Sequence, residues 1–382
     1  MTTKITSLYV HVPFCSGRKC AYCDFFSLPY REEEGEQYLT ALAADISLTV
    51  ATAPVGSLHT LYLGGGTPTS LTPAQLEKLL TLLFASFDRE EKEWEFTVEI
   101  SPETLTAEKL SLLKEGGVNR LSIGAQSFDD RILAAMGRRH RAVDIFRAYE
   151  LARKAGFASI SLDLIYGFPG QSCANWEKTL ATAISLAPEH LSVYCLQVEP
   201  DTPLSAKIEA GILTPHPQEE EAAMYYLAVD KLTAAGYQLY ELSNLARPGF
   251  FCRHNLTYWY NRPYLGLGPG AASWYNGYRR TRIADLNAYS QGLAAGIIPV
   301  SEEEYIDRET EMAETIILNL RLTRGIDLTA FSQRFGVDLL QKYKATVEKY
   351  IQAGLLELKE GYLRLTRQGL FLSGEVMRDF LP

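Results

Sequence analysis

Through roughly the first 240 residues, short β-branched and aromatic runs alternate with longer amphipathic ones, and few folds satisfy that order. The strand-like runs cover residues 8–12, 60–63, 96–100, 120–123, 159–166, 191–196 and 238–242. Helical periodicity fills the gaps at 36–52, 73–87, 107–115, 143–155, 175–185 and 218–235. Six or more strand–helix units in series predict a parallel sheet with helical crossovers. The runs are apolar enough to be buried on both faces, as such a sheet requires. A doubly wound sheet and a full or partial barrel both meet this description. No Gly-x-Gly-x-x-Gly opens the first helix, which lowers the dinucleotide-binding alternative.

Special residues gather at strand ends. Cys15 follows the first strand, Gly64-Gly65-Gly66-Thr67-Pro68 the second, Glu99 ends the third, Gln126 follows the fourth, and Asp163 lies within the fifth. In βα barrels the loops after the strands converge on one mouth, where active sites are built. Five consecutive strands delivering such residues there predict a site.

Cys15, Cys20 and Cys23 stand on the loop leaving the first strand. Three thiolates without an obvious fourth fit a [4Fe–4S] cluster with one open iron, since four cysteines would close it. His11 with the same cysteines would instead make a Cys3His zinc site. A disulfide scaffold is disfavoured, because only 6 of 382 residues are cysteine and the other three, Cys173, Cys195 and Cys252, are scattered.

The charge balance is −9, which gives no general attraction to nucleic acid or an anionic bilayer. No signal peptide opens the sequence and no apolar run approaches the ~18 residues of a membrane span. Free thiols and an oxygen-sensitive cluster then point to the cytoplasm.

After residue 243 the texture changes. The stretch 244–277 is rich in Gly, Pro, Asn and aromatics, and such length without periodicity predicts a lid or binding loop. From 302 helical pattern returns, at 302–320, 327–335 and 339–353, followed by two short strands at 355–358 and 362–365 and a last helix from 368. That order is winged-helix-like. Glu302-Glu303-Glu304 and the low basic content favour a packing module over nucleic-acid binding. The expected division is therefore 1–243, a linker or lid over 244–300, and 301–382.

The three cysteines, Gly64-Gly65-Gly66-Thr67-Pro68 and the strand-end Glu99, Gln126 and Asp163 resemble the radical S-adenosylmethionine (SAM) superfamily. More narrowly, Leu8-Tyr9-Val10-His11-Val12-Pro13-Phe14-Cys15, Leu121-Ser122-Ile123-Gly124-Ala125-Gln126 and Asp163-Leu164-Ile165-Tyr166-Gly167 look like the HemN/HemW family, over nearly the whole chain. The resemblance implies an α/β fold, a partial (βα)6 TIM-like radical SAM barrel with a C-terminal α+β winged-helix-like domain of HemN type. It implies that Cys15, Cys20 and Cys23 hold a [4Fe–4S] cluster and that SAM chelates its open iron. Tyr9, Tyr22, Gly65, Gly66, Thr67, Glu99, Gln126, Arg138 and Asp163 would be the SAM contacts, with Gln197 a weaker match.

Two branches of the family compete. The oxygen-independent coproporphyrinogen III oxidases carry a fourth cysteine where this chain has Phe25, and a longer arm before the cluster. The HemW-type heme chaperones carry His-Asn-x-x-Tyr-Trp, present here as His254, Asn255, Tyr258 and Trp259. The second branch is favoured. It implies heme as cargo, His254 as a candidate heme ligand with Cys252 nearby, respiratory heme apoproteins as recipients, and peripheral contact with the membrane. One departure stands out: the family spacing Cys-x3-Cys-x2-Cys is here Cys-x4-Cys-x2-Cys, an extra residue that Ser16-Gly17 is expected to absorb as a bulge.

Overall fold

The computed structural model describes residues 4–90, 92 and 94–381. Six parallel strands follow one another in sequence order: β1 (Ile5–Val12), β2 (Val55–Gly65), β3 (Glu95–Ile100), β4 (Arg120–Gln126), β5 (Ser159–Tyr166) and β6 (His190–Cys195). The connections carry helices α1 (Glu32–Thr52), α2 (Pro73–Ser86), α3 (Ala107–Glu115), α4 (Ala142–Lys154) and α5 (Cys173–Leu186), and α6 (Gln218–Ala234) follows β6. Local sequence sets several of these starts. Thr72 accepts from the N–H of Gln75 ahead of Pro73, and Ser172 accepts from the N–H of Asn175.

The strands alternate rather than being apolar on both faces. Leu61, Leu63, Phe96, Val98, Leu121, Ile123, Ile160, Leu162, Leu191 and Val193 pack into the main core under the helices. Between them, Thr60, Tyr62, Thr97, Glu99, Arg120, Ser122, Ser161, Asp163, His190 and Ser192 fall on the opposite, concave face, as period-two geometry demands. That polar concave face, rather than a packed apolar barrel interior, makes a ligand cavity possible.

Three further strands complete the sheet: β7 (Gln238–Glu241), β8 (Asn244–Ala246) and β9 (Leu265–Leu267). The order is β9-β1-β2-β3-β4-β5-β6-β8-β7, with β9 parallel to β1 and β8 antiparallel to β6 and β7. The two edges do not pair, so the barrel is partial. The stretch expected to be a linker or lid from 244 thus supplies two sheet strands, and between them the helix Arg253–Trp259. Its aperiodic sequence has a physical cause: the strands are only 3 residues long, too short to show alternation.

The acidic run 302–304 also departs from expectation. Val300–Tyr305 is a strand, antiparallel to Tyr278–Arg282, and the helix Arg308–Leu320 begins only after Asp307 accepts from the N–H of Thr310. Glu303 and Glu304 lie opposite Arg280 and Arg279, with ion pairs of 2.6 and 3.3 Å. Cross-strand charge pairing overrides the helical preference of glutamate.

Beyond it, the strand Ile326–Asp327 joins the hairpin Leu356–Lys359/Tyr362–Leu365, flanked by the helices Arg308–Leu320, Leu328–Phe335 and Lys344–Gln352. This winged-helix-like unit has its own core around Ile316, Phe331, Leu363 and Phe380, and Leu242 from the end of β7 reaches into it. Among the described residues no helix is long and apolar enough to cross a membrane.

Candidate functional site

The glycines after β2 shape one wall of the mouth. A Cβ on Gly64 would lie 2.8 Å from the Glu99 carboxyl carbon, and one on Gly66 only 2.4 Å from the Phe14 carbonyl oxygen. Gly65 adopts φ +98°, a backbone state that glycine takes without strain. The missing side chains therefore make room first for the protein's own Glu99 and Phe14. Glu99 accepts from the Tyr62 hydroxyl at 2.8 Å and from the Gly65 N–H at 3.2 Å. Burial pushes its carboxyl up to about 7; the Tyr62 hydrogen bond opposes that rise and the charge of Asp163 adds to it.

Two strands away, Asp163 accepts from Ser122 at 2.9 Å and Ser161 at 3.1 Å, and burial raises its pKa as well. At the end of β4 the pairing slips between Ile123 and Gln126, and Gln126 takes φ +64°. The turn there carries the Gln126 side chain to the cavity wall.

The cysteine loop is tied down from several sides. Phe14–Cys15 pairs with Leu28–Pro29, closing the loop on itself. Arg138 donates to Cys20 Sγ at 3.3 Å, to Ser101 Oγ at 3.0 Å and to the Gly124 carbonyl at 3.1 Å, so it is a half-buried bridge between loop and sheet. Glu103 accepts from Ser16 at 3.0 Å and from Ser101, and hydrogen-bonds to His140 at 3.2 Å. Burial opposes its ionisation, yet the His140 and Ser101 hydrogen bonds hold its carboxyl down at about 2. The extra residue between Cys15 and Cys20 is not absorbed by a left-handed glycine. Gly17 has no such φ; it is needed because a Cβ there would strike the Arg139 guanidinium at 1.9 Å, and that group donates to the Ser16 carbonyl.

The zinc reading loses its imidazole. His11 accepts from the Tyr9 hydroxyl at 3.1 Å through Nδ1 and donates to the Phe26 carbonyl at 2.8 Å through Nε2. Among the described residues no three His, Cys, Asp or Glu side chains, the three cysteines included, are gathered closely enough to hold a metal ion. The three cysteines instead share the wall of one cavity. Burial pushes the Cys23 thiol up to about 11 and raises that of Cys15, so only a bound cationic group would make thiolates of them near neutral pH.

That cavity has a volume of about 490 Å³ and is lined by Cys15, Cys20, Cys23, Tyr22, Gly65, Gly66, Thr67, Glu99, Gln126, Arg138 and Asp163, and also by Gln197. Its size suits a small-molecule ligand. Two residues expected there are elsewhere. Tyr9 is spent on His11 and stands one layer back, its ring 6.1 Å from that of Tyr62. His254 is 1% exposed, hydrogen-bonded to Thr60 Oγ1 at 2.9 Å and to the Tyr258 hydroxyl at 2.8 Å, and stacked on Tyr62. Both of its nitrogens are engaged, and burial, aided by Arg120, lowers its pKa to about 3. His254, expected from the sequence as a heme-ligand candidate, is thus placed off the cavity lining, where it anchors the helix Arg253–Trp259 inside the sheet. Cys252 is fully buried against Glu95, its thiol pushed up to about 12 by desolvation, and does not face the cavity either.

Sequence reasoning missed Tyr62, Ser101, Arg120, Ser122 and Ser192 on the cavity wall, and Glu103 behind it. The signal was available for four of them, since Tyr62, Arg120, Ser122 and Ser192 are the concave-face positions of strands already identified.

Comparison with known proteins agrees with this geometry. Residues 9–183 match the radical SAM superfamily and residues 306–372 the HemN C-terminal domain. The chain is 39% identical over 375 residues to a protein named heme chaperone HemW from Bacillus subtilis (strain 168), covering 98% of this chain and 99% of that one. It is 33% identical to the protein of the same name from Lactococcus lactis subsp. lactis (strain IL1403), covering 100% and 98%. The solved structure of coproporphyrinogen III oxidase (HemN) from Escherichia coli, described as a radical SAM enzyme, superposes with a TM-score of 0.85 at 27% identity, covering 99% of this chain and 90% of that one. The chain belongs to the HemN/HemW family of radical SAM proteins.

Proposed function

We propose that the protein is a cluster- and SAM-binding heme chaperone that passes heme to respiratory apoproteins. The observation that carries this reading is the 39% identity, end to end, with a protein named heme chaperone HemW. Phe25 supports it, being 63% exposed on the cavity wall where the oxidases of the family carry a fourth cysteine. The identity with the E. coli oxidase is lower, 27%, although its fold is the same.

In this reading Cys15, Cys20 and Cys23 hold a [4Fe–4S] cluster, which when bound supplies the electron that opens the SAM sulfonium. The chain's own residues bind and orient. Glu99 and Asp163 offer buried carboxylates to the ammonium and ribose hydroxyls of SAM, Arg138 lies beside Cys20 where a ligand carboxylate would be neutralised, and Gln126 and Thr67 frame the opening. The protein works in the cytoplasm and touches the membrane only peripherally, where its recipients are held.

Anaerobic reconstitution followed by iron and sulfide analysis should give about four of each per chain, the content of a [4Fe–4S] cluster. A hemin titration should then shift the Soret band with saturable stoichiometry. Absence of saturable hemin binding removes the chaperone reading. Conversion of coproporphyrinogen III under anaerobic reducing conditions would establish the oxidase in its place.

A further inference from the structure

Arg120 is the first residue of β4, is 4% exposed, and lines the cavity. Among the described residues its guanidinium makes no hydrogen bond or ion pair, and its buried Nε has no acceptor. The carboxylates whose charges reach it are already committed: Glu99 to Tyr62 and Gly65, Asp163 to Ser122 and Ser161, and likewise Glu95. Glu95 accepts from the backbone N–H groups of Arg253 and His254, each at 2.9 Å, and from the Cys252 thiol at 3.6 Å. A buried cation with open donors is costly unless an anion completes it, and the planar fork of arginine fits a carboxylate.

Arg120 does not duplicate Arg138. Arg138 bonds the Gly124 carbonyl beside Cys20, at the cysteine end of the cavity. Arg120 enters four residues before Gly124 on the same strand. A ligand whose carboxylate sits beside Arg138 therefore leaves Arg120 for a second anionic group. Asn255, the residue after His254, lines the same cavity and offers an amide donor.

We propose that Arg120 is an anion subsite at the inner end of the cavity that reads a propionate arm of the tetrapyrrole. The inference rests on the heme reading above and names the part of the cargo that the chain recognises. It also gives the His254 segment a role that needs no iron ligand: His254 fixes the helix, and Asn255 faces the ligand.

The test is a set of absorbance titrations on the cluster-loaded protein with hemin and with hemin dimethyl ester, which lacks free propionates. Arg120→Gln should weaken hemin binding tenfold or more and change SAM affinity, measured by equilibrium dialysis, by a clearly smaller factor, since the Arg120 charge also acts on Glu99 and Asp163. The ester should bind wild type about as weakly as hemin binds Arg120→Gln, and should not distinguish the two proteins. Equal affinity of wild type for hemin and ester overturns the proposal, as does loss of SAM affinity with hemin affinity intact. If Arg120→Gln does not fold, the ester on wild type carries the test: an ester that binds wild type as tightly as hemin overturns it. Wild type that binds no hemin fails differently, because it removes the chaperone reading itself.

Discussion

At the residue scale, Glu99 shows how burial and ligand charge are set against each other. Its carboxyl titrates near 7 in the folded chain against an ordinary value of 4.5. Between those values the folded state holds a proton that the unfolded state has lost. Rising pH through this window therefore costs stability, up to on the order of 3 kcal/mol. Glu99→Gln should flatten urea midpoints between pH 5 and pH 8, roughly the span of that window, and raise them at the upper end. The ligand side has the opposite sign, because a cationic ammonium needs the carboxylate. SAM affinity should fall about tenfold per pH unit below 7. Calorimetry in buffers of different ionisation enthalpy should detect a proton released on binding near pH 6, absent in Glu99→Gln. Glu103 has the reverse linkage. Held near 2 in the folded chain, it stabilises above its ordinary 4.5, and that contribution disappears as pH falls toward 2. Because it ties Ser16 to Ser101, Glu103→Gln should loosen the cysteine loop and shorten iron retention on exposure to chelator, with SAM affinity of the loaded protein changed less than threefold.

Elements were legible in proportion to their length and to how local their stabilisation is. β5, eight residues that alternate from Ser159 to Leu164, begins and ends where the pattern placed it, as does α3 with Thr106 as its cap. The hidden elements are those whose reasons are distant in sequence. β9 exists because it pairs with β1, more than 250 residues away, and Val300–Tyr305 is a strand because Arg279 and Arg280 face its glutamates. Eleven of the expected site residues lie on one cavity, because strand ends are local facts. The orientation of His254 is not local. It depends on Thr60, Tyr62 and Tyr258, and on Glu95 receiving the N-terminus of a seven-residue helix. The element then argues for a structural outcome. His254→Ala should cost about 2–3 kcal/mol, from lost packing and two orphaned buried partners. The fraction that remains folded should bind hemin with wild-type affinity. A fully folded variant that has lost the Soret shift would return His254 to the role of ligand.

On the scale of the whole molecule, the question is what keeps an open, nine-stranded sheet from fraying at the edge nearest the cysteines. β9 lies beside β1, and a Cβ on Gly268 just beyond it would sit 2.5 Å from the His11 carbonyl oxygen, so the two strands leave no slack at the start of the cysteine loop. The edge is fastened by a buried charge. Asp45 of α1 is fully buried and accepts from Arg282 at 2.9 Å, from the Tyr289 hydroxyl at 2.8 Å and from the Gly268 N–H at 3.2 Å. One carboxylate thus joins α1, the turn after β9, the strand Tyr278–Arg282 and the helix Leu286–Ala294. Such a pair adds less than its Coulomb energy, because desolvation offsets it, but removing one partner strands the other charge. Asp45→Ala should therefore lose about 3–5 kcal/mol, read as a lower urea midpoint with the slope unchanged. Since that charge fastens the edge beside β1, the loss should reach the cysteine loop before global unfolding. Hydrogen exchange should accelerate along β9 and β1, and iron should leave faster at urea concentrations where the helices are intact. Replacing both partners, Asp45→Leu with Arg282→Met, should restore much of the stability, and cluster retention should return with it. Recovery of stability without recovery of retention would show that the edge does not govern the site.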